Sequence, residues 1–232
     1  AITIRKRFFP AIMGRGVIQI SAYVDLFLAS LLATGAVAAL LSAQVLYLLP
    51  IGIFVTSVAA SELPEMSRAQ GSAELTNRAN KAIKKSLFFI FFCCTMYISV
   101  GEQIINAFFG WGSFSSDDAL AVWIILSAYS LALPAISCSR LLQNTCWSLG
   151  DTKGPARIAA VRVVVSAAIG LSLIFPLDLI TVSNDGFTTD EVAGPHLGPV
   201  GLALGAAVAS WVEVSLLFRL IRRSFPGLIS IR

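Results

Sequence analysis

The chain has 232 residues, of which 56% are hydrophobic and only 13% charged, where soluble domains carry roughly 25% charged residues. That composition, with a mean hydropathy of +0.81, excludes an ordinary soluble globular domain. The net charge of +4 is spread over polar connections, with no basic domain and no interleaved aromatics. A nucleic-acid partner is thereby excluded, and contact with anionic lipid headgroups is expected.

Six apolar runs follow in order, each long enough to cross a bilayer core, which takes about 20 helical residues. The first, about 9–33, is led in by Arg5-Lys6-Arg7, and it carries Arg15 and Gln19 one turn apart, then Ser21 and Asp25. After Thr34-Gly35 comes the second, about 37–61, with Gln44, Pro50 and Gly52. Segment 62–85 is a polar, basic insert, expected to be a cytoplasmic amphipathic loop: a short helix on the headgroups or a charged linker. The third run is about 86–109. Trp111 to Asp118 is a turn, with Asp117 and Asp118 placed to start the next helix.

The fourth run, about 119–149, is long, and Pro134 predicts a kink in it. Arg140, Gln143 and Asn144 form a polar patch there at i, i+3 and i+4. Basic residues from Lys153 to Arg162 precede and enter the fifth run, about 157–180. Segment 181–198 is acidic, holds the single histidine, His196, and reads as an exposed loop. The sixth run, about 199–221, contains Glu213 and ends in Arg219 to Arg223.

Basic clusters therefore alternate with connections that are acidic or uncharged. The positive-inside rule reads this as an even-numbered helical bundle with both ends in the cytoplasm. The runs are continuously apolar rather than alternating, so helices are expected and not a β-barrel. Position 1 is Ala and a basic triplet leads straight into a span, so the chain is expected to be a piece of a longer protein.

An ionisable group near mid-bilayer costs roughly 2.5–3.5 kcal/mol on insertion scales, so each one in a span needs a reason. Arg15 is near enough to its end to snorkel. Glu213 has Arg219 or a neighbouring helix as candidate partner, and Gln19 and Gln44 can serve as interhelical hydrogen-bonding groups. Asp25 and Arg140 lie well inside their spans; each faces the bundle interior or a hydrated cavity, or they neutralise each other. Cys93, Cys94, Cys138 and Cys146 have no metal-ligand spacing and read as small apolar residues. No nucleophile motif, zinc motif or phosphate loop is present, so an enzyme is not expected.

Five stretches carry a family resemblance. They are PAIMGRGVIQISAYVDLFLAS (10–30), LPIGIFVTSVAASELPEMSR (49–68), FFGWGSFSSDDALAVWIILSAYSLALPA (108–135), SLGDTKGPARIA (148–159) and HLGPVGLALGAAVASWVEVSLL (196–217). In this order and spacing they resemble the MurJ/MviN family of lipid II flippases, within the MATE-like exporter superfamily. The Gly-Asp-Thr-Lys-x-Pro turn at 150–155 is the most specific of them.

The resemblance implies an all-α polytopic membrane protein: six transmembrane helices forming the second lobe of a two-lobed transporter whose first lobe is absent from this chain. It implies alternating access that carries lipid II, or a similar polyprenyl-pyrophosphate-linked glycan, from the inner to the outer leaflet of a bacterial inner membrane. Arg140 matches a basic position of the family's tenth helix, and with Gln19 and Gln44 it is the expected substrate-binding set. Gln44-Val45 aligns where the family has an Asp-Arg pair. Asp25 matches an acid of the seventh helix, which in some members helps to bind sodium; its role is a coupling ion or a charge pair. The ion's other partners align with Ser166, Gly170 and Ala206, two of which have no side-chain oxygen. A proton- or potential-driven cycle is as consistent as a sodium-driven one, and no other cofactor or metal is expected. The missing N-terminal lobe and membrane lipids are the implied partners. The rival readings are an exporter of another lipid-linked oligosaccharide and a non-transporting scaffold for cell-wall synthesis.

Overall fold

The structure, a computed structural model, describes residues 23–32, 34–58, 60–61, 72–112, 114–183, 186–188 and 194–224. A helical segment at 23–29 is the described part of the first apolar run; Gln19, Arg15 and the Arg5-Lys6-Arg7 cluster lie outside the described residues. Six helices follow: α1 (Ala36–Pro50), α2 (Ser72–Phe109), α3 (Ser116–Ser130), α4 (Leu133–Ser148), α5 (Lys153–Asp178) and α6 (Gly198–Ser224). A two-stranded antiparallel hairpin, β1 (Thr181–Ser183) and β2 (Gly186–Thr188), joins α5 to α6. Four of the helical stretches are long and apolar enough to cross a membrane, and α3 with α4 makes a fifth, bent by 41°. The chain is an all-α polytopic membrane protein.

The outward faces are apolar. Val45, Ile53, Phe88, Phe91, Phe92, Val164 and Phe175 are all more than half exposed, which water would not tolerate over so large a patch and lipid does. The three spans of α1, α2 and α5 bury only 22–28% of their apolar windows inside the protein, whereas α6 buries 67%. Helix α6 is therefore the central post, packed against α1, α3, α4 and α5. Its closest neighbour is α5. A Cβ at Gly205 would lie 2.8 Å from the backbone nitrogen of Gly170 and 2.9 Å from the carbonyl of Ser166, and one at Gly201 would lie 2.9 Å from the Leu173 carbonyl carbon. Small residues bring two membrane helices into backbone contact.

The polar insert differs from expectation. From Ser72 onward it is not a separate helix; it runs unbroken into the third span as the 38-residue α2. A helix of that length reaches about 57 Å, well past a 30 Å hydrocarbon core. Arg78 pairs with Glu74 one turn back, at 3.1 Å, and no proline or glycine interrupts the path from Ser72 to Val100. Continuous helix formers thus override the change in polarity. Segment 181–198 also differs from expectation: it is not simply an exposed loop but includes a hairpin in which Thr181 and Val182 are buried, while the helix start at 115–118 and the turn at 150–155 are as expected. Ser115 and Asp118 form a capping box that starts α3. In the Gly-Asp-Thr-Lys turn, Gly150 takes a left-handed conformation, and Asp151 Oδ1 accepts from the backbone N–H of Lys153 at 3.1 Å and of Gly154 at 2.9 Å. His196 Nδ1 lies 2.6 Å from the Asp178 carbonyl, and His196 bridges to Thr181, which ties the hairpin to the end of α5.

Two prolines shape the interior, each through the N–H it lacks. Pro50 ends α1, and the chain continues through one π-turn, Ile51–Val55. The carbonyl four residues before it, on Leu46, accepts instead from the Tyr97 hydroxyl at 2.6 Å. Pro134 opens α4, and the carbonyl four residues before it, on Ser130, accepts from Cys94 Sγ at 3.3 Å. The Leu131 carbonyl at the break accepts from Trp211 Nε1 at 3.0 Å. Cys94 and Tyr97 stand three apart on one face of α2, so a single face serves both proline-freed carbonyls. Tyr97→Phe would leave the Leu46 carbonyl buried without a partner. It should lower unfolding stability by about 1–3 kcal/mol in thermal melts of the reconstituted protein; an unchanged melting temperature would contradict this account of the bend.

Candidate functional site

The polar groups of the spans converge on α6. Glu213 is fully buried, with 0% exposure, at the middle of the most enclosed helix. Its Oε1 accepts from Gln143 Nε2 at 2.9 Å, and its Oε2 accepts from Arg162 Nη1 at 3.3 Å. Gln143 also donates to Ser139 Oγ at 3.2 Å, one turn back on α4. Three helices, α4, α5 and α6, are thereby joined by one carboxylate. Its expected partner is corrected in part: the neighbouring helix supplies it, through Arg162, and among the described residues no ion pair joins Glu213 to Arg219.

Arg162 is the residue that sequence reading missed. It was grouped with the loop cations that begin at Lys153, yet it lies nine residues inside α5, and its side chain is only 20% exposed. Nine residues of helix is about 13 Å of depth. Glu213 lies nine residues before Arg222 at the basic end of the antiparallel α6. The equal spacing from two basic ends was the available signal that the two charges meet.

Asp25 is buried on the 23–29 segment. Among the described residues no salt bridge joins Asp25 to Arg140. Arg140 lies on α4 and reaches the exposed surface of the bundle. Tyr47 packs against Tyr129 with ring centroids 4.9 Å apart, and Gln44 Nε2 donates to the Tyr129 hydroxyl at 3.1 Å. Gln44 is thus an interhelical group between α1 and α3, while Gln19 lies outside the described residues.

The positions aligned with sodium partners fit that ion poorly. Ser166 supplies one side-chain oxygen; a Cβ on Gly170 would meet Leu202 at 3.1 Å, and the Ala206 carbonyl already accepts from Ser210 Oγ at 2.7 Å. A hard cation needs several oxygens at once, and these residues do not make such a cage. Among the described residues no group of three or more His, Cys, Asp or Glu could hold a metal, and all four cysteines are free thiols.

Residues 2–231 match the family model described as lipid II flippase MurJ. Similar proteins include a probable lipid II flippase MurJ of Rhizobium tropici, 31% identical over 212 residues, covering 90% of this chain and 36% of that protein. The corresponding protein of Bdellovibrio bacteriovorus is 27% identical over 226 residues, covering 96% of this chain and 39% of its own length. Among solved structures, a lipid II flippase MurJ in an inward closed conformation superposes with a TM-score of 0.78 at 26% identity, covering 93% of this chain and 42% of that one. The chain spans less than half the length of these relatives.

Removing the shared carboxylate strands two donors at once. Glu213→Ala should cost about 3–5 kcal/mol of stability, because Arg162 is left as a buried charge without its partner. Glu213→Gln, which keeps a hydrogen-bonding group in place, should cost less. Thermal unfolding of both variants in nanodiscs checks the order; equal melting temperatures for wild type and Glu213→Ala would refute it.

Proposed function

The chain belongs to the lipid II flippase MurJ family, and from that membership we propose that it forms the second lobe of a transporter for lipid-linked peptidoglycan precursor. The proposed direction is from the inner to the outer leaflet of a bacterial inner membrane. The observation that carries this reading is the family match over residues 2–231, with a lobe-sized superposition on a flippase of that family.

The physics of the cargo supports it. A pyrophosphate-linked sugar–peptide head cannot enter hydrocarbon without a prohibitive desolvation cost, so it needs a hydrated and anion-friendly path. In this reading Arg140, exposed on α4, attracts the pyrophosphate. Gln19 and Gln44 complete the proposed substrate-binding set, and Gln44 also joins α1 to α3 through Tyr129. Asp25 acts in a charge pair during the cycle rather than as a metal ligand. The π-turn after Pro50 and the 41° break at Pro134 supply the deformable points that alternate opening requires. The clustered arginines and lysines orient the lobe with both ends in the cytoplasm. Movement of a lipid involves no covalent step, so no residue is assigned a chemical role in catalysis.

Complementation tests the reading. The full-length protein should restore growth and outward lipid II translocation in cells depleted of their own flippase; failure with normal membrane expression would reject it. Arg140→Ala in the same protein should lower the flipping rate at least about tenfold, the loss of one charge-assisted contact.

A further inference from the structure

We propose that the β1–β2 hairpin is a membrane foot: Phe187 reaches past the edge of the bundle and inserts at the boundary between lipid headgroups and acyl chains, at the end of the bundle opposite the basic clusters. The strand register carries the argument. Val182 and Phe187 are directly opposed across the hairpin, and opposed residues of an antiparallel pair put their side chains on one face. Val182 is 1% exposed and belongs to the main hydrophobic core, so this face is the one turned toward the bundle. Phe187, one strand further out on the same face, is 70% exposed. The bundle therefore ends between the two strands, and the ring overhangs it.

What lies below the overhang follows from the neighbouring elements. Val164, Leu171, Phe175 and Leu179 are all exposed, and their spacing puts them on one lipid-facing side of α5 and its cap. Strand β1 starts two residues after Leu179, so the hairpin springs from the end of that stripe. The same end of the bundle carries Trp111, exposed at the turn between α2 and α3, and a tryptophan so placed marks the headgroup level. Charge gives the hairpin no hold on lipid. From Thr181 to Val192 the sequence has Asp185, Asp190 and Glu191 and no base. Anionic headgroups repel such a segment, so its attachment rests on burial of the aromatic ring.

Fluorescence of the full-length protein in phosphatidylcholine nanodiscs tests this, whatever the cargo. Phe187→Trp exchanges one exposed aromatic for another where little packing can be lost. Its emission, taken as the difference from wild type, should be blue-shifted from indole in water and insensitive to iodide. Lipid brominated near the top of the acyl chains should quench it more than lipid brominated near their ends, as for Leu179→Trp at the end of the α5 stripe. Val164→Trp, near the middle of α5, should show the reverse order. Red-shifted emission that iodide quenches and neither lipid does would place the hairpin in water and overturn the proposal. Blue-shifted emission that none of them quenches would mean that protein covers the face, a second copy or polypeptide outside this chain, and would overturn it too. So would the quenching order of Val164→Trp, which puts the ring in the hydrocarbon rather than at its boundary.

Discussion

A carboxylate with no exposure at the centre of a membrane helix bundle is the constraint from which the rest of this architecture follows. Glu213 must be ionised beside a cation or neutral within hydrogen bonds, and the lobe supplies both a guanidinium and an amide. Meeting that requirement fixes three helices. Helix α5 must come close enough for Arg162 to reach, which the glycines at 201 and 205 on α6 and at 170 on α5 allow. Helix α4 must present Gln143 toward α6, with Ser139 behind it on the same face. The surrounding packing is consistent with this order: Leu141, Leu142, Cys146, Leu217 and Ile221 form a dry cluster between the network and the basic ends.

The bends are a second consequence of satisfying polar groups where water is absent. Each proline removes one backbone donor, and the carbonyl it frees is met by a side chain of α2. Tyr97 and Cys94 do this for two different spans from adjacent turns of one helix. Trp211 closes the last carbonyl of the α3–α4 break from α6. Helix α2 is thus more than a lipid-facing wall. It caps the carbonyls at the Pro50 π-turn and the α3–α4 break, and it carries Phe88, Phe91 and Phe92 outward.

Much of this was legible before any coordinates. Four of the apolar runs are long apolar helical stretches, a fifth is the bent α3–α4 pair, and Pro134 marked the break, Ser115 with Asp118 the start of α3, and Glu213 the need for a partner within its own helix or on a neighbour. What could not be read was depth. Arg162 follows Lys153 and Arg157 in sequence and looks like one more orienting cation. It becomes a core residue because α5 begins at Lys153 and has already passed two turns of helix by then. The continuation of α2 through a change of polarity was hidden for a related reason: composition marks the interface, while helix propensity decides where the helix ends. Gln44 aligned with a functional charge of the family, but its reach to Tyr129 is a tertiary fact.

The account's central claim is that Glu213 and Arg162 form a coupled buried pair on which the α5–α6 crossing depends. A double-mutant cycle measures that coupling directly: thermal stability of wild type, Arg162→Met, Glu213→Met and the double variant in nanodiscs. The account predicts that each single change is strongly destabilising and that the double variant loses less than the sum of the two single losses, with a coupling energy of about 1–3 kcal/mol. Additive effects, with no coupling between the two positions, would contradict it.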